Sequence, residues 1–339
     1  MRRFLFALLL MAGVLFLLTH LAEVEQVAAT LQRGSLAFVG LAIVMQAVWL
    51  VNVAASYRSI YRLLGVEEEL WRLFFLASSA NFINVVTPSG MVGGVALFVS
   101  EARQKGYSPA KAALAGVLFI LFEYAGFFVV LILGLIVLVR RNDLTASEIV
   151  AAGLLFLLTI TLLLLLFLGL RSAQTLGRTL AGMARAINFI VHPFIRRNYL
   201  DEQDAHHFAA EAAEGLALIR GNIRGLAWPL ALSLSSKAIL IIVMFLVFVA
   251  FKTPYSTGTL IGGFTIAYLF TIISPTPSGI GVVEGLLAVG LHSLNVELGA
   301  AAVITVAYRG VTFWLPLLWG IIAFRIWGRR TILPVGGEA

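Results

Sequence analysis

The sequence predicts an all-α polytopic membrane protein: about six full spans plus two re-entrant broken hairpins in an inverted-topology repeat. Three observations carry this. Of 339 residues, 60% are hydrophobic and only 12% charged, about half the charged share of a soluble domain. The apolar residues run in long stretches, whereas a transmembrane β-barrel alternates in segments of ~10 residues. The tetrapeptide Thr-Pro-Ser-Gly occurs twice, at Thr87–Gly90 and Thr276–Gly279, each time interrupting apolar sequence. Lipid tolerates a broken helix only where backbone is buried in protein or lines a polar cavity. A break present in both halves therefore marks the working centre, as discontinuous helices do in secondary transporters.

Crossing the hydrocarbon takes about 20 apolar residues. Six stretches reach that length: 4–21, 35–56, 113–139, 148–170, 226–250 and 298–325. The first follows Arg2 and Arg3 and is expected to stay as a helix, because its apolar run is long for a signal peptide. Two further stretches are too short. Leu73–Val86 is broken at Thr87–Gly90 and returns as Met91–Ser100. Gly258–Ser274 is broken at Pro275–Gly279 and returns as Ile280–Leu291. Each reads as a hairpin that enters and leaves by one face; two short tilted spans are the alternative, with the same parity.

With the N-terminus placed inside, 18 Lys and Arg fall on the inner side and four, Arg33, Arg140, Arg141 and Lys252, on the outer. This asymmetry predicts a multi-pass protein of the cell (inner) membrane with both termini cytoplasmic. The same rule accounts for the net charge of +7 without a nucleic-acid partner. Within one domain, 1–339, two units follow, 35–139 and 226–325. Each is span, broken hairpin, span, and parity gives them opposite orientations. Gly-x-x-x-Gly spacing recurs after each break, at Gly90/Gly94 and Gly281/Gly285, which predicts close helix approach. The cytoplasmic linker 171–225 holds an amphipathic stretch, Leu176–Ile195, expected along the membrane surface, then a solvated turn and helix over Asp201–Glu214.

Several chemistries are excluded. There is no cysteine, hence no thiolate nucleophile or cysteine metal site. The five histidines form no H-x-x-x-H pair, and no P-loop, dinucleotide fingerprint or nucleophile elbow is present. No metal and no cofactor is expected. His206 and His207 are adjacent and so point to different faces of a helix.

Four ionisable residues lie in the apolar sequence: Glu123, Lys237, Glu284 and Arg309. A charge at the bilayer centre costs roughly 2.5–3.5 kcal/mol on insertion scales. Lys237 and Arg309 suit an anionic headgroup, since the planar fork of arginine matches a phosphate. Glu123 and Glu284 suit a cationic group, a proton, or the task of holding the basic residues. The alternative is a buried structural ion pair, such as Glu123 with Arg309. The turn residues Thr87, Ser89, Thr276 and Ser278 are expected to satisfy freed backbone groups and contribute to the same locus. The helix N-terminus after each break favours anions. Asn81 and Asn84, with Ser78 and Ser79, precede the first break; Thr265, Tyr268, Thr271 and Ser274 precede the second. They line a polar groove or join helices. Glu101, Arg103 and Lys105 read as a solvated interface, and Trp71, Trp228 and Trp327 as interfacial anchors.

The segment Asn81–Gly90, the segment Ser274–Glu284 and the segment Tyr308–Pro316 resemble three signatures of the lysylphosphatidylglycerol synthase transmembrane, or flippase-like, family. The resemblance spans roughly residues 5–330. It implies a prokaryotic inner-membrane protein akin to the membrane half of multiple peptide resistance factors, with Glu284 and Arg309 as the residues carried over. The sequence ends soon after the last span, so a stand-alone member without the aminoacyl transferase domain is expected. The expected function is a lipid flippase that moves an anionic or aminoacylated lipid headgroup by alternating access, and not an enzyme. The expected ligand is a membrane phospholipid or polyprenyl-phosphate lipid. The alternative is an integral-membrane enzyme or scaffold in headgroup modification. A separate lipid-modifying enzyme and a second copy of the chain stay open as partners.

Overall fold

A computed structural model of the protein describes residues 21–86, 92–141, 144–195 and 202–328. The expected first span, 4–21, and the first break, Thr87–Gly90, lie outside the described residues but for Leu21. What is described is helical, without strands. The chain runs through α1 (Leu21–Arg33), α2 (Leu36–Leu63), α3 (Leu70–Val86), α4 (Val92–Gln104), α5 (Pro109–Arg140), α6 (Ala146–Arg171), α7 (Ala173–Ile195) and α8 (Glu202–Gly221). It continues through α9 (Ala227–Ala250), α10 (Thr257–Ile273), α11 (Val282–Ser293), α12 (Leu298–Arg309) and α13 (Leu315–Ala323). The expected polytopic all-α class is what the structure shows. Among the described residues, five helices are long and apolar enough to cross a membrane: Leu36–Leu63, Pro109–Arg140, Ala146–Arg171, Ile223–Ala250 and Leu298–Ile326.

Helix ends are set by local chemistry. Ser108 caps α5 by accepting from Lys111 N at 3.2 Å, with Pro109 at the first helical position, where a missing N–H costs nothing. Thr145 and Glu148 close a reciprocal capping box on α6, and Ser256 caps α10 by accepting from Thr259 N at 3.0 Å. Each satisfies N–H groups that the helix itself leaves free.

The short helices come in pairs. α3 packs on α4, and α10 packs on α11. At about 1.5 Å per residue, arms of 17, 13, 17 and 12 residues reach roughly 18–26 Å, less than a hydrocarbon core of ~30 Å. The open end of the first pair is tied by Lys105, which donates to Glu68, whose side chain is 6% exposed. Lys105 is thus part of a half-buried clasp rather than the solvated interface the sequence suggests. The open end of the second pair lies beside Arg141, which donates to Leu294 O at 2.9 Å and Ser256 Oγ at 3.1 Å. The start of α5 follows the first of these contacts in the chain and Arg141, just past its end, makes the second.

Packing repeats between the halves. α2 lies along α9. α3 packs on α13, and α10 packs on α5. The last two contacts match residue for residue. Ser78 is the ninth residue of α3 and Thr265 the ninth of α10. A Cβ on Gly320 would lie 2.8 Å from Ser78 O, and a Cβ on Gly134 would collide with the Thr265 side chain. Without a hydrophobic drive in lipid, such close approach is what holds membrane helices together.

Two apolar cores result. One gathers Phe127, Val243, Met244, Phe264, Leu287 and Ile304 around the second hairpin. The other gathers Ile60, Leu73, Phe82, Phe98 and Leu317 around the first. α7 packs on α8, where Leu176 meets Ala209 and Ala212, while Leu216 and Ile219 of α8 join the first hairpin's core; Arg178 and Arg185 are exposed. This is the amphipathic stretch expected over Leu176–Ile195. Trp71 and Trp228 are 62% and 64% exposed, as suits interfacial anchors.

Candidate functional site

The second break is a tight, strained turn. Ser274 ends α10, a single 3-10 turn covers Pro277–Gly279, and α11 begins at Val282. Ser278 has φ 49°, and Gly279 and Gly281 both have φ 77°. Glycine takes that region freely, whereas a serine there is uncommon and costly. Thr276 stitches the turn: its hydroxyl donates to Ile280 O at 2.9 Å and meets Ser274 Oγ at 2.8 Å. Its role is to satisfy freed backbone, one of the two tasks the sequence suggested.

Arg309 closes over this turn. Its Nε donates to Glu284 Oε1 at 2.6 Å and its Nη2 to Ser278 O at 3.1 Å. The guanidinium carbon stands 4.5 Å from the Phe313 ring centre, a cation–π contact. Ser278 thus takes part through its backbone carbonyl, presented by the left-handed turn. Arg309 is the last residue of α12, and the chain then takes a π turn over Gly310–Trp314 before α13. Single π turns inside helices concentrate at functional sites; Phe313 lies within this one. Glu284 lies in the first turn of α11, so the positive end of that helix already faces a carboxylate.

The site is open on one side. Glu284 keeps 30% of its side-chain surface exposed while Arg309 keeps 6%. Gly281 and Gly285 have nothing within 4 Å of a Cβ position. The expectation that Gly281/Gly285 serves close helix packing is therefore corrected: among the described residues nothing packs on either glycine, and Gly281 is there for its backbone angle. Among the described residues, two of the five guanidinium N–H groups are used. Glu284 Oε2 is buried and has no partner among the described residues.

The four charged residues form two separate pairs rather than one cluster, and the pairing Glu123 with Arg309 is not the one formed. Glu123 on α5 accepts from Lys237 on α9, and Lys237 also donates to the Tyr268 hydroxyl of α10. Tyr268 OH lies 3.2 Å from the same Glu123 oxygen. The polar residues before the breaks divide. Asn84 Oδ1 accepts from Gly94 N at 2.7 Å and so caps α4 from the preceding arm. Thr271 and Ser78 bond back into their own helices, to Ala267 O and Phe74 O at 2.7 Å each. Asn81 is half-buried on α3. Thr87 and Ser89 lie outside the described residues. The 3-10 turn of the second break packs against α3 of the first hairpin.

Tyr268 and Phe313 were under-read in the sequence. Tyr268 stands out as the one phenol in α10, but its link to both charges depends on helix packing. Phe313 follows Arg309 by four residues, a spacing at which helical side chains meet.

The residues around the second break and Arg309 belong to a run that matches a known family over residues 4–320, the lysylphosphatidylglycerol synthase TM region. The chain belongs to this family. It is also similar to a UPF0104 membrane protein of Methanocaldococcus jannaschii, 24% identical over 328 residues and covering 94% of each chain. A UPF0104 membrane protein of Methanothermobacter thermautotrophicus is 20% identical over 328 residues, covering 95% of each. The likeness to both runs nearly end to end, so this family member matches relatives of its own length.

Proposed function

We propose that this family member is a lipid flippase, which carries an anionic headgroup across the inner membrane by alternating access between its two broken hairpins. The observation that carries the proposal is Arg309: a nearly buried guanidinium, oriented by Glu284 and the strained carbonyl of Ser278, with donors to spare beside an open face of α11. A buried, oriented arginine with unused N–H groups is a phosphate site. The headgroup of a phospholipid or polyprenyl-phosphate lipid would occupy it while the tails stay in the bilayer.

The hairpins support the movement. We read 35–139 and 226–325 as an inverted repeat, with each hairpin re-entrant from its own face and both chain termini cytoplasmic. The contact of the second break with α3 and the matched Ser78–Gly320 and Thr265–Gly134 contacts favour this. Two like units related by such an axis exchange inward and outward access by rocking.

The test is headgroup translocation in vesicles holding the purified full chain, read by external quenching of a fluorescent phosphatidylglycerol. Wild type should expose the probe. Arg309→Ala and Glu284→Ala should insert normally and lose at least tenfold in rate. Unchanged rates in both variants would overturn the assignment of the site, and no movement by wild type with either phosphatidylglycerol or a polyprenyl phosphate would favour a scaffold or an enzyme.

A further inference from the structure

The second charged pair differs from the first in being sealed. The Lys237 and Glu123 side chains are 1% and 9% exposed, against 6% and 30% for Arg309 and Glu284. Lys237 donates to Glu123 and Tyr268 and lies 4.1 Å from the Tyr268 ring centre. Glu123 comes from the first unit, and Lys237 and Tyr268 come from the second. The pair therefore sits across the joint that has to shift if the units rock.

Polar groups lead to it through the joint of α2 and α9. Trp49 donates to Ser236 Oγ at 2.9 Å and Asn52 to Ser235 Oγ at 2.6 Å, beside Lys237. One turn before Trp49, Gln46 is fully buried with neither amide atom partnered. Tyr124 OH, next to Glu123, is also buried without a partner. Buried polar atoms that protein does not satisfy are where internal water binds.

Electrostatics then limit what this pair can do. An uncompensated charge in such a place is strongly destabilising, so the locus has to stay neutral. An anion that replaces Glu123 on the Lys237 ammonium leaves the carboxylate unpaired unless it takes up a proton.

We infer that Lys237, Glu123 and Tyr268 form a proton-binding site that couples headgroup movement to protons, one proton entering on Glu123 for each anionic headgroup that takes its place on Lys237. This rests on the transport reading above. The proton comes from hydronium in water; an O–H bond forms at Glu123 Oε2. Lys237 keeps its three N–H bonds and changes only its acceptor, from carboxylate to phosphate oxygen. Ammonium, phosphate monoanion and carboxylic acid then sum to zero charge, as ammonium and carboxylate did. Release reverses the step and returns the proton to water on the other side. Tyr57 from α2 lies within electrostatic reach of Glu123; Tyr124 on α5 and Tyr308 on α12 lie within reach of Tyr268, and Arg309 within reach of Tyr308.

Two measurements test this. Detergent-solubilised full chain in weak buffer with a pH dye should take up about one proton per chain on addition of phosphatidylglycerol or a short polyprenyl phosphate. Glu123→Gln should take up none. The double variant Lys237→Met/Glu123→Gln, which leaves no charge in this cluster, should fold and also take up none. In vesicles, one-to-one coupling makes a step of about one pH unit drive a roughly tenfold excess of fluorescent phosphatidylglycerol on the alkaline side. Neither variant should show that asymmetry. Lipid that binds without proton uptake, that fails to bind, or that distributes symmetrically in wild type under the gradient overturns the coupling. Proton uptake on binding with no lipid movement at all would sink the transport reading and leave the proton site standing.

Discussion

Lys237 is 1% exposed, and its Nζ meets one carboxylate and one phenol. Removing one partner of such a pair leaves an uncompensated charge, worth about 3–5 kcal/mol, whereas replacing both with apolar groups of like volume is often neutral. Lys237→Met should therefore lower thermal stability in detergent far more than Lys237→Met/Glu123→Gln, a difference that unfolding curves of the two variants will read. Tyr268→Phe removes only a hydroxyl, and should cost about 1–3 kcal/mol for the donor and acceptor left short. The sequence names both charges, since an ionisable residue in lipid is conspicuous by itself. It does not name their partners: Glu123 and Lys237 are 114 positions apart, and only the packing of α5 on α9 selects that pairing over Glu123 with Arg309.

Helices α3 and α10 make the same contact in the two halves, Ser78 against Gly320 and Thr265 against Gly134. A larger side chain at either glycine should cost about 1–3 kcal/mol as overpacking. Gly134→Leu and Gly320→Leu should then destabilise by similar amounts, as measured by unfolding in detergent; a large effect at one site alone would argue against equivalent roles. Asn84→Ala removes the cap on α4 and should cost about 1 kcal/mol, loosening the first hairpin without touching Arg309. The bounds of these short helices were close to those expected, because proline, glycine and a change in hydrophobicity mark them locally. The π turn at Gly310–Trp314 has no local signature in the sequence.

The protein as a whole has two ends, one holding the Glu68–Lys105 clasp and the other Arg141 with Ser256 and Leu294. Lysine and arginine counts in the sequence predict that the first end faces the cytoplasm. The chain lacks cysteine, so single cysteines report cleanly. Gln174→Cys should react with an impermeant maleimide only from the cytoplasmic side, and Ser147→Cys only from the opposite side. The reverse pattern would invert the topology while leaving the repeat intact.

Composition and apolar length alone determined that this chain lies in a membrane as helices, because lipid leaves backbone no other way to satisfy its hydrogen bonds. The repeated Thr-Pro-Ser-Gly located the second break, because proline and glycine act on their own backbone. What only the tertiary structure decided is which charges meet and which stay accessible. Arg309 with Glu284 faces an open side of α11, while Lys237 with Glu123 is enclosed. Those differences arise from contacts between helices far apart in the chain, and no local pattern encodes them.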